Sequence, residues 1–370
     1  MKKVGINEIT ANQFGFIIIG TMICIAILSA PKDLVKAAEQ DAWISVAFGM
    51  LYPLYMVIMG ILLYRRFPNK SILEISKICF GKAIGGIFNF IFMLYFLFFL
   101  ATRCAGLDDI LQTYISSFLS PVKLIVAFVL AAAYAASHGL KVIGRINELI
   151  FYLMIILVLC PLSVLKEGSL LNVMPVFENG ISKIVVGSIQ TIYSYSGVEI
   201  LFLIYPMIKD KENMIKVSLR AVIITALVYT WFVFSTIYFL GIDIVPKYAW
   251  PFVTITKAID LPIINNFRYI FLFLWAIVAL KAISNYFYSF IFIFNDFFKK
   301  IKFNLLCYLM YPVIIYASML FSDEAFRRFI IRKLAPGLII FNVISITLIV
   351  ITIYLKKEEA YEGTTSNNSN

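Results

Sequence analysis

Histidine is almost missing from this chain, and cysteine occurs without a pattern. The 370-residue sequence holds one histidine, His138, and five cysteines. Cys24, Cys104, Cys160 and Cys307 lie in apolar runs, and Cys79 lies in a short basic loop between them. No spacing suits a metal site or a disulfide framework. No Gly-rich phosphate loop, nucleophile elbow or paired-histidine motif occurs either. An enzyme reading therefore has nothing to stand on, and no catalytic residue, cofactor or metal is expected. Charge is scarce as well: Asp, Glu, Lys and Arg make up 14% of the chain, against 62% hydrophobic residues. A soluble domain has about 45–50% apolar residues. The chain reads as an all-α polytopic membrane protein. Its net charge of +11 then does not point to nucleic acid. In such a protein Lys and Arg set orientation and meet anionic lipid, so the membrane is the expected partner.

A helix needs about 20 apolar residues to cross a bilayer. That rule gives about ten spans, roughly 12–30, 42–64, 84–118, 122–138, 146–165, 185–206, 218–240, 268–294, 304–321 and 335–355. Residues 1–357 read as one transmembrane domain, and residues 358–370 as a polar, disordered tail rich in Ser, Thr and Asn. The first apolar run has no convincing cleavage site and is read as a retained span rather than a signal peptide. Ten spans put both termini on one side. The loops on that side carry Arg65, Arg66, Lys70, Lys77, Lys82, Lys141, Arg145, Lys209, Lys211, Lys216, Arg220, Lys299, Lys300 and Lys302. Both termini are therefore expected in the cytoplasm. Arg327, Arg328, Arg332 and Lys333 are an exception on the opposite side. Ten spans divide as five plus five, about 12–165 and 185–355, which suggests inverted repeats with spans one and six both interrupted.

Gln190 to Pro206 is long and apolar enough to cross, yet its middle is Tyr193-Ser194-Tyr195-Ser196-Gly197, followed by Glu199. Gly and Ser weaken a helix there, and a buried carboxylate costs from about 2.5 kcal/mol upward. Non-helical backbone at this depth is tolerated only against protein or a water-filled cavity. The alternative is a small-residue packing face, which leaves Glu199 unexplained. Span one offers a weaker interruption between Gly20 and Cys24. Two facing breaks would present free N–H groups to a carboxylate and free carbonyls to an ammonium group. In span eight, Lys281, Asn285 and Tyr288 share one face, expected to meet a central cavity. Lys281 is either a fixed charge standing in for a coupling ion or half of a salt bridge, with Glu199 or Asp108. Arg103, Asp108 and Asp109 in span three are read as structural, their partners lying on other helices. Arg145 and Glu148 are spaced to pair with each other.

Several fragments together carry a resemblance. They are Gln13 with the TMICIAILSAP run, Asp41-Ala42-Trp43-Ile44-Ser45, and Arg66-Phe67-Pro68 with Ser71 and Glu74. Gly139…Gly144-Arg145, Gly197-Val198-Glu199 with Pro206, and Trp275 complete the set. From about residue 8 to 355 the chain resembles the spore germination permease family, the B subunits of Ger-type spore germinant receptors, themselves similar to amino acid–polyamine–organocation transporters. The resemblance implies ten helices in two inverted five-helix repeats, in the inner membrane of bacterial spores. It implies an A subunit and a C-subunit lipoprotein as partners, and a small nutrient, such as an amino acid, as ligand. The ligand site would lie between helices one, three, six and eight. By position it would be lined by Cys24, Tyr95, Phe99, Ser196, Gly197, Glu199, Ala282 and Tyr286, with Lys281 beside them. A proton- or ion-coupled amino acid permease is the alternative. Where family members often carry Gly-x-Gly in span one, this chain has Cys24-Ile25-Ala26.

Overall fold

A computed structural model describes residues 8–116, 118–178, 180–259 and 266–355. The expected polar tail and the first seven residues lie outside these. Among the described residues the chain is helical throughout, apart from loops and one isolated bridge. In chain order, α1 spans Ala11–Met22, α2 Ala26–Ala38, α3 Ala42–Gly49, α4 Leu51–Arg66 and α5 Ile72–Tyr114. Next come α6 (Pro121–Ser137), α7 (Leu140–Leu159), α8 (Gly180–Thr191) and α9 (Leu201–Ile204). The series ends with α10 (Met214–Leu240), α11 (Pro251–Ala258), α12 (Phe267–Phe297), α13 (Phe303–Met319) and α14 (Glu324–Leu355). Among the described residues six stretches are long and apolar enough to cross a bilayer, and three shorter apolar helices accompany them. This is an integral membrane protein.

Each of the ten expected spans falls on helix, and the differences are local. The stretch holding Cys79 is not a loop but the first part of α5. Ser71 and Glu74 form a reciprocal cap at its start, satisfying two end N–H groups. Gly81, at φ 78°, then breaks the helical path, a conformation that glycine adopts without steric cost. Cys79 is consequently buried. Glu148 does not pair with Arg145; it accepts a bond from Gln13 Nε2 at 3.1 Å. That contact ties α7 to α1.

The two interrupted helices are pinned together at the end where α1 begins. Ile9 pairs with the stretch after α9, its N–H donating to Met207 O (3.1 Å) and its O accepting from Lys209 N–H (3.0 Å). Ala11 N–H donates to Asp210 Oδ1 at 2.8 Å. At the opposite end the arginine exception finds counter-charges. Arg327 meets Asp109 at 2.5 Å, Arg328 meets Glu324 at 2.7 Å, and Arg332 meets Asp33 at 3.3 Å. Asp109 is thus structural, as its sequence position implied.

A polar knot fixes α12 against α1 and α7. Asn285 and Asn147 bond reciprocally through their amides, at 2.7 and 3.0 Å. Asn285 Nδ2 also reaches Thr21 Oγ1 at 3.0 Å. The expected polar stripe on span eight therefore does not face a cavity. Asn285 is used in helix packing, and Tyr288 packs against Phe292 and Phe303. Gly20 makes this closeness possible, since an added Cβ would overlap Asn147 Oδ1.

Interhelical side-chain bonds in membranes are worth about 0.6–2 kcal/mol each. Asn285→Ala should lower unfolding stability in detergent by about 1–2 kcal/mol. Leu149→Ala, on a face that is 71% exposed, should change it by less than about 0.5 kcal/mol. Thermal unfolding of the purified variants checks both, and equal effects would remove the knot's special role.

Candidate functional site

Both expected interruptions are present. α1 ends at Met22, its successor Ile23 is extended (φ −83°, ψ 101°), and α2 begins at Ala26. No glycine is needed at Ile23-Cys24-Ile25, because these φ values are open to any residue. In the sixth span, α8 stops at Thr191 and helix resumes at Val198. Here glycine is required. Gly197 sits at φ 104°, and an added Cβ would lie 2.5 Å from Tyr286 Oη and 2.8 Å from Thr21 Cγ2.

Broken helices leave backbone groups without intrahelical partners, and tyrosines meet them. Tyr229, on α10, lies 3.1 Å from Met22 O and 2.9 Å from Ser194 O. Its single proton is shared between the carbonyls of both breaks. Tyr286, on α12, donates to Ser196 O at 3.0 Å. Gly197 N–H donates to Tyr95 Oη (2.9 Å) and to Glu199 Oε2 (2.8 Å).

Glu199 is fully buried and has no cationic partner among the described residues. Tyr95 O–H donates to its Oε2 at 2.6 Å, and Tyr52 O–H donates to Oε1. These bonds, with the Gly197 N–H, replace the water that a carboxylate would otherwise need. The carboxylate also faces the start of the Val198–Met207 helical stretch, where the helix dipole favours negative charge. Tyr52 was not singled out by sequence. It sits at the start of α4, and nothing in its neighbourhood distinguishes it from the other tyrosines.

The nine expected residues come together around these breaks. Cys24 lies in the first break, and Ser196, Gly197 and Glu199 lie in or beside the second. Tyr95 and Phe99 of α5 are 4.7 Å apart between ring centroids, and Phe99 stacks on Tyr286 at 6.2 Å. Ala282 and Lys281 flank them on α12. None of the side chains is more than 1% exposed, so the cluster is closed. Lys281 does not bridge to Glu199 or Asp108. Glu199 is held by tyrosines, and Asp108 accepts from Gln112 at 2.9 Å. The lysine chain instead fills the space beside Gly20, where an added Cβ would be 3.1 Å from its Cδ and Cε.

Sequence reasoning set Arg103 apart from the site, but it belongs there. It is 2% exposed. Its Nη1 donates to Tyr193 Oη (3.0 Å), and Nη2 donates to Tyr193 O (3.3 Å) and Ser196 Oγ (3.1 Å). The guanidinium also lies over the Tyr193 ring, 4.4 Å from its centroid. Arg103 and Tyr193 form the inner boundary of a cavity of about 660 Å³. The cavity extends to Asp33, Lys36 and Arg332. Asp33 and Arg332 are 39% and 68% exposed at their side chains, so it opens at the end where α14 begins. Arg103 could have been suspected from spacing, since it stands one helical turn beyond Phe99 and two beyond Tyr95.

A family model described as spore germination protein matches residues 8–327. The chain is 26% identical over 265 residues to the spore germination protein GerQB of Bacillus cereus, covering 71% of this chain and 73% of that protein. It is 25% identical over 262 residues to the spore germination protein YndE of Bacillus subtilis (strain 168), covering 69% and 71%.

The tyrosine–carboxylate network is testable by itself. Tyr95→Phe leaves Glu199 Oε2 with one donor, and Glu199→Gln removes the charge. The two changes should be non-additive, with a coupling of roughly 0.5–3 kcal/mol in unfolding experiments. Gly197→Ala should cost roughly 1–3 kcal/mol from the backbone conformation alone, read as a lowered Tm.

Proposed function

The chain belongs to the spore germination protein family, and from that premise we propose that it is the nutrient-sensing membrane subunit of a spore germination receptor. The observation that carries the reading is the pair of facing helix breaks, spanned by the shared hydroxyl of Tyr229. Broken helices meeting inside a bundle build small-molecule sites in membrane proteins. A cavity of about 660 Å³ leading to them has the size of such a site.

In this reading the ligand is a small nutrient, amino-acid-like, bound between helices one, three, six and eight. Cys24, Tyr95, Phe99, Ser196, Gly197, Glu199, Lys281, Ala282 and Tyr286 form the closed cluster that binding rearranges. A ligand moves a two-state equilibrium only by its differential affinity for the two states. Here that difference comes from replacing tyrosine–backbone bonds with ligand–backbone bonds. Partner subunits, an A subunit and a C-subunit lipoprotein, then read the new helix arrangement. The two halves, about 12–165 and 185–355, act as inverted repeats in the spore inner membrane, with both termini in the cytoplasm. An amino acid permease coupled to protons or ions through Glu199 is the second reading. It is favoured by the same breaks and by a buried carboxylate held by proton-donating tyrosines.

Spores lacking this chain should lose the response to at least one nutrient, and the wild-type gene should restore it. Tyr286→Phe frees the Ser196 carbonyl, worth about 1 kcal/mol. At normal protein level it should shift the nutrient concentration needed by about fivefold. An unchanged response in both strains would exclude the sensing role. Uptake of labelled amino acids into proteoliposomes above the protein-free background would instead select the permease.

A further inference from the structure

The cavity that leads to the breaks has an uncompensated charge at its inner end. Arg103 is buried, and its partners Tyr193 and Ser196 are all uncharged acceptors. Its Nε has no hydrogen-bond partner. No carboxylate among the described residues reaches it: Asp108 is held by Gln112, Asp109 by Arg327 and Glu199 by tyrosines. A buried guanidinium without a counter-charge is costly, and such groups are paired or coordinate a ligand. Nearby, α2 begins with no side-chain cap, so its first N–H groups lack intrahelical partners. Ile25 and Ala26, which open that helix, line the same cavity as Arg103. Towards the mouth the lining carries Lys36, Arg327, Arg328, Arg332 and Asp33, and the three arginines are paired with Asp109, Glu324 and Asp33.

We propose that this cavity is the entry and anchoring site for a carboxylate-bearing small molecule, whose carboxylate pairs with Arg103 against the start of α2. This rests on the nutrient-sensing reading and names the chemical class of its ligand. The guanidinium fork suits a carboxylate, which it can meet with two parallel N–H bonds. Engagement would also act on the breaks directly. Arg103 holds the Tyr193 carbonyl and Ser196 hydroxyl, both within the interrupted part of the sixth span. A carboxylate that draws the guanidinium away releases both, so ligand charge is converted into rearrangement of the break.

The test uses the full-length chain purified in a non-ionic detergent, with thermal unfolding as readout. The probes are the proteinogenic L-amino acids and their carboxamides. At least one acid should raise Tm while its carboxamide, lacking the anion, has no effect at the same concentration. Arg103→Gln should weaken that acid's effect tenfold or more, with Arg103→Lys retaining part of it. Gly106→Leu serves where Arg103 variants do not fold. An added Cβ at Gly106 meets only Ile25 methyls, at 3.8 Å, and a larger side chain enters the cavity. It should keep the unliganded Tm and abolish the shift.

Equal shifts by acids and carboxamides overturn the Arg103 assignment and leave the nutrient-sensing reading standing. No shift by any probe overturns the carboxylate site, while the nutrient-sensing reading is decided separately by the response of spores lacking the chain. Stabilisation by anionic-lipid nanodiscs that Arg103→Gln removes, without any effect of the acids, assigns the site to a lipid headgroup and also overturns the proposal.

Discussion

A helix that breaks inside a bilayer frees backbone groups that no water is at hand to satisfy, and this protein meets that demand with tyrosine hydroxyls. Tyr229 spans the carbonyls of both breaks, Tyr286 holds Ser196 O, and Tyr95 stands between the Gly197 amide and the Glu199 carboxylate. The remaining features of the site follow from this arrangement. Glu199 is tolerated without a cation because two hydroxyls and one amide meet it. Gly197 is required because a side chain there would strike Tyr286. The close approach of α1 to α12, through Gly20 and the Asn147–Asn285 pair, brings Tyr286 to the breaks.

Such a network is suited to switching. Hydroxyl bonds to backbone are individually modest, about 0.5–1.5 kcal/mol net, and each can be exchanged for a bond to a ligand at small cost. The pins at the other end of the interrupted helices are of a different kind. Ile9 with Met207 and Lys209, and Ala11 with Asp210, are backbone and carboxylate contacts outside the breaks. One end of the helix pair is thus fixed by contacts that a ligand in the cavity does not touch. The end nearer the cavity mouth is held by ion pairs from α14 to α2, Arg328–Asp33 and Arg332–Asp33.

Charge was the least legible part of the site in the sequence. Lys281 is a cation at the centre of an apolar span, and the sequence leaves open a fixed charge standing in for a coupling ion and a salt bridge with Glu199 or Asp108. The fold separates these groups: Glu199 turns to Tyr52 and Tyr95, and Lys281 lies along Gly20. Arg103 looked structural because no acid shares its helix face. That same lack of an acid, once the helices are assembled, leaves it a buried cation without a carboxylate partner among the described residues, at the cavity floor. Offsets along one helix report which residues share a face. They do not report which residues of other helices meet that face.

The sequence by itself determined the all-α membrane class, the order of the helical stretches, and the break at Ser196-Gly197. It did so because hydropathy over about 20 residues and the conformational freedom of glycine are local properties. The nine cluster residues came into view as a set only through the resemblance to the family. Tertiary structure placed the break expected between Gly20 and Cys24 at Ile23-Cys24-Ile25, where Tyr229 arrives from a distant helix. It alone decided the role of Tyr52, the use of Asn285 in packing rather than in a cavity, and the meeting of Arg103 with Tyr193 and Ser196. Each of these depends on which helix lies beside which, and that is set by contacts between residues far apart in the chain.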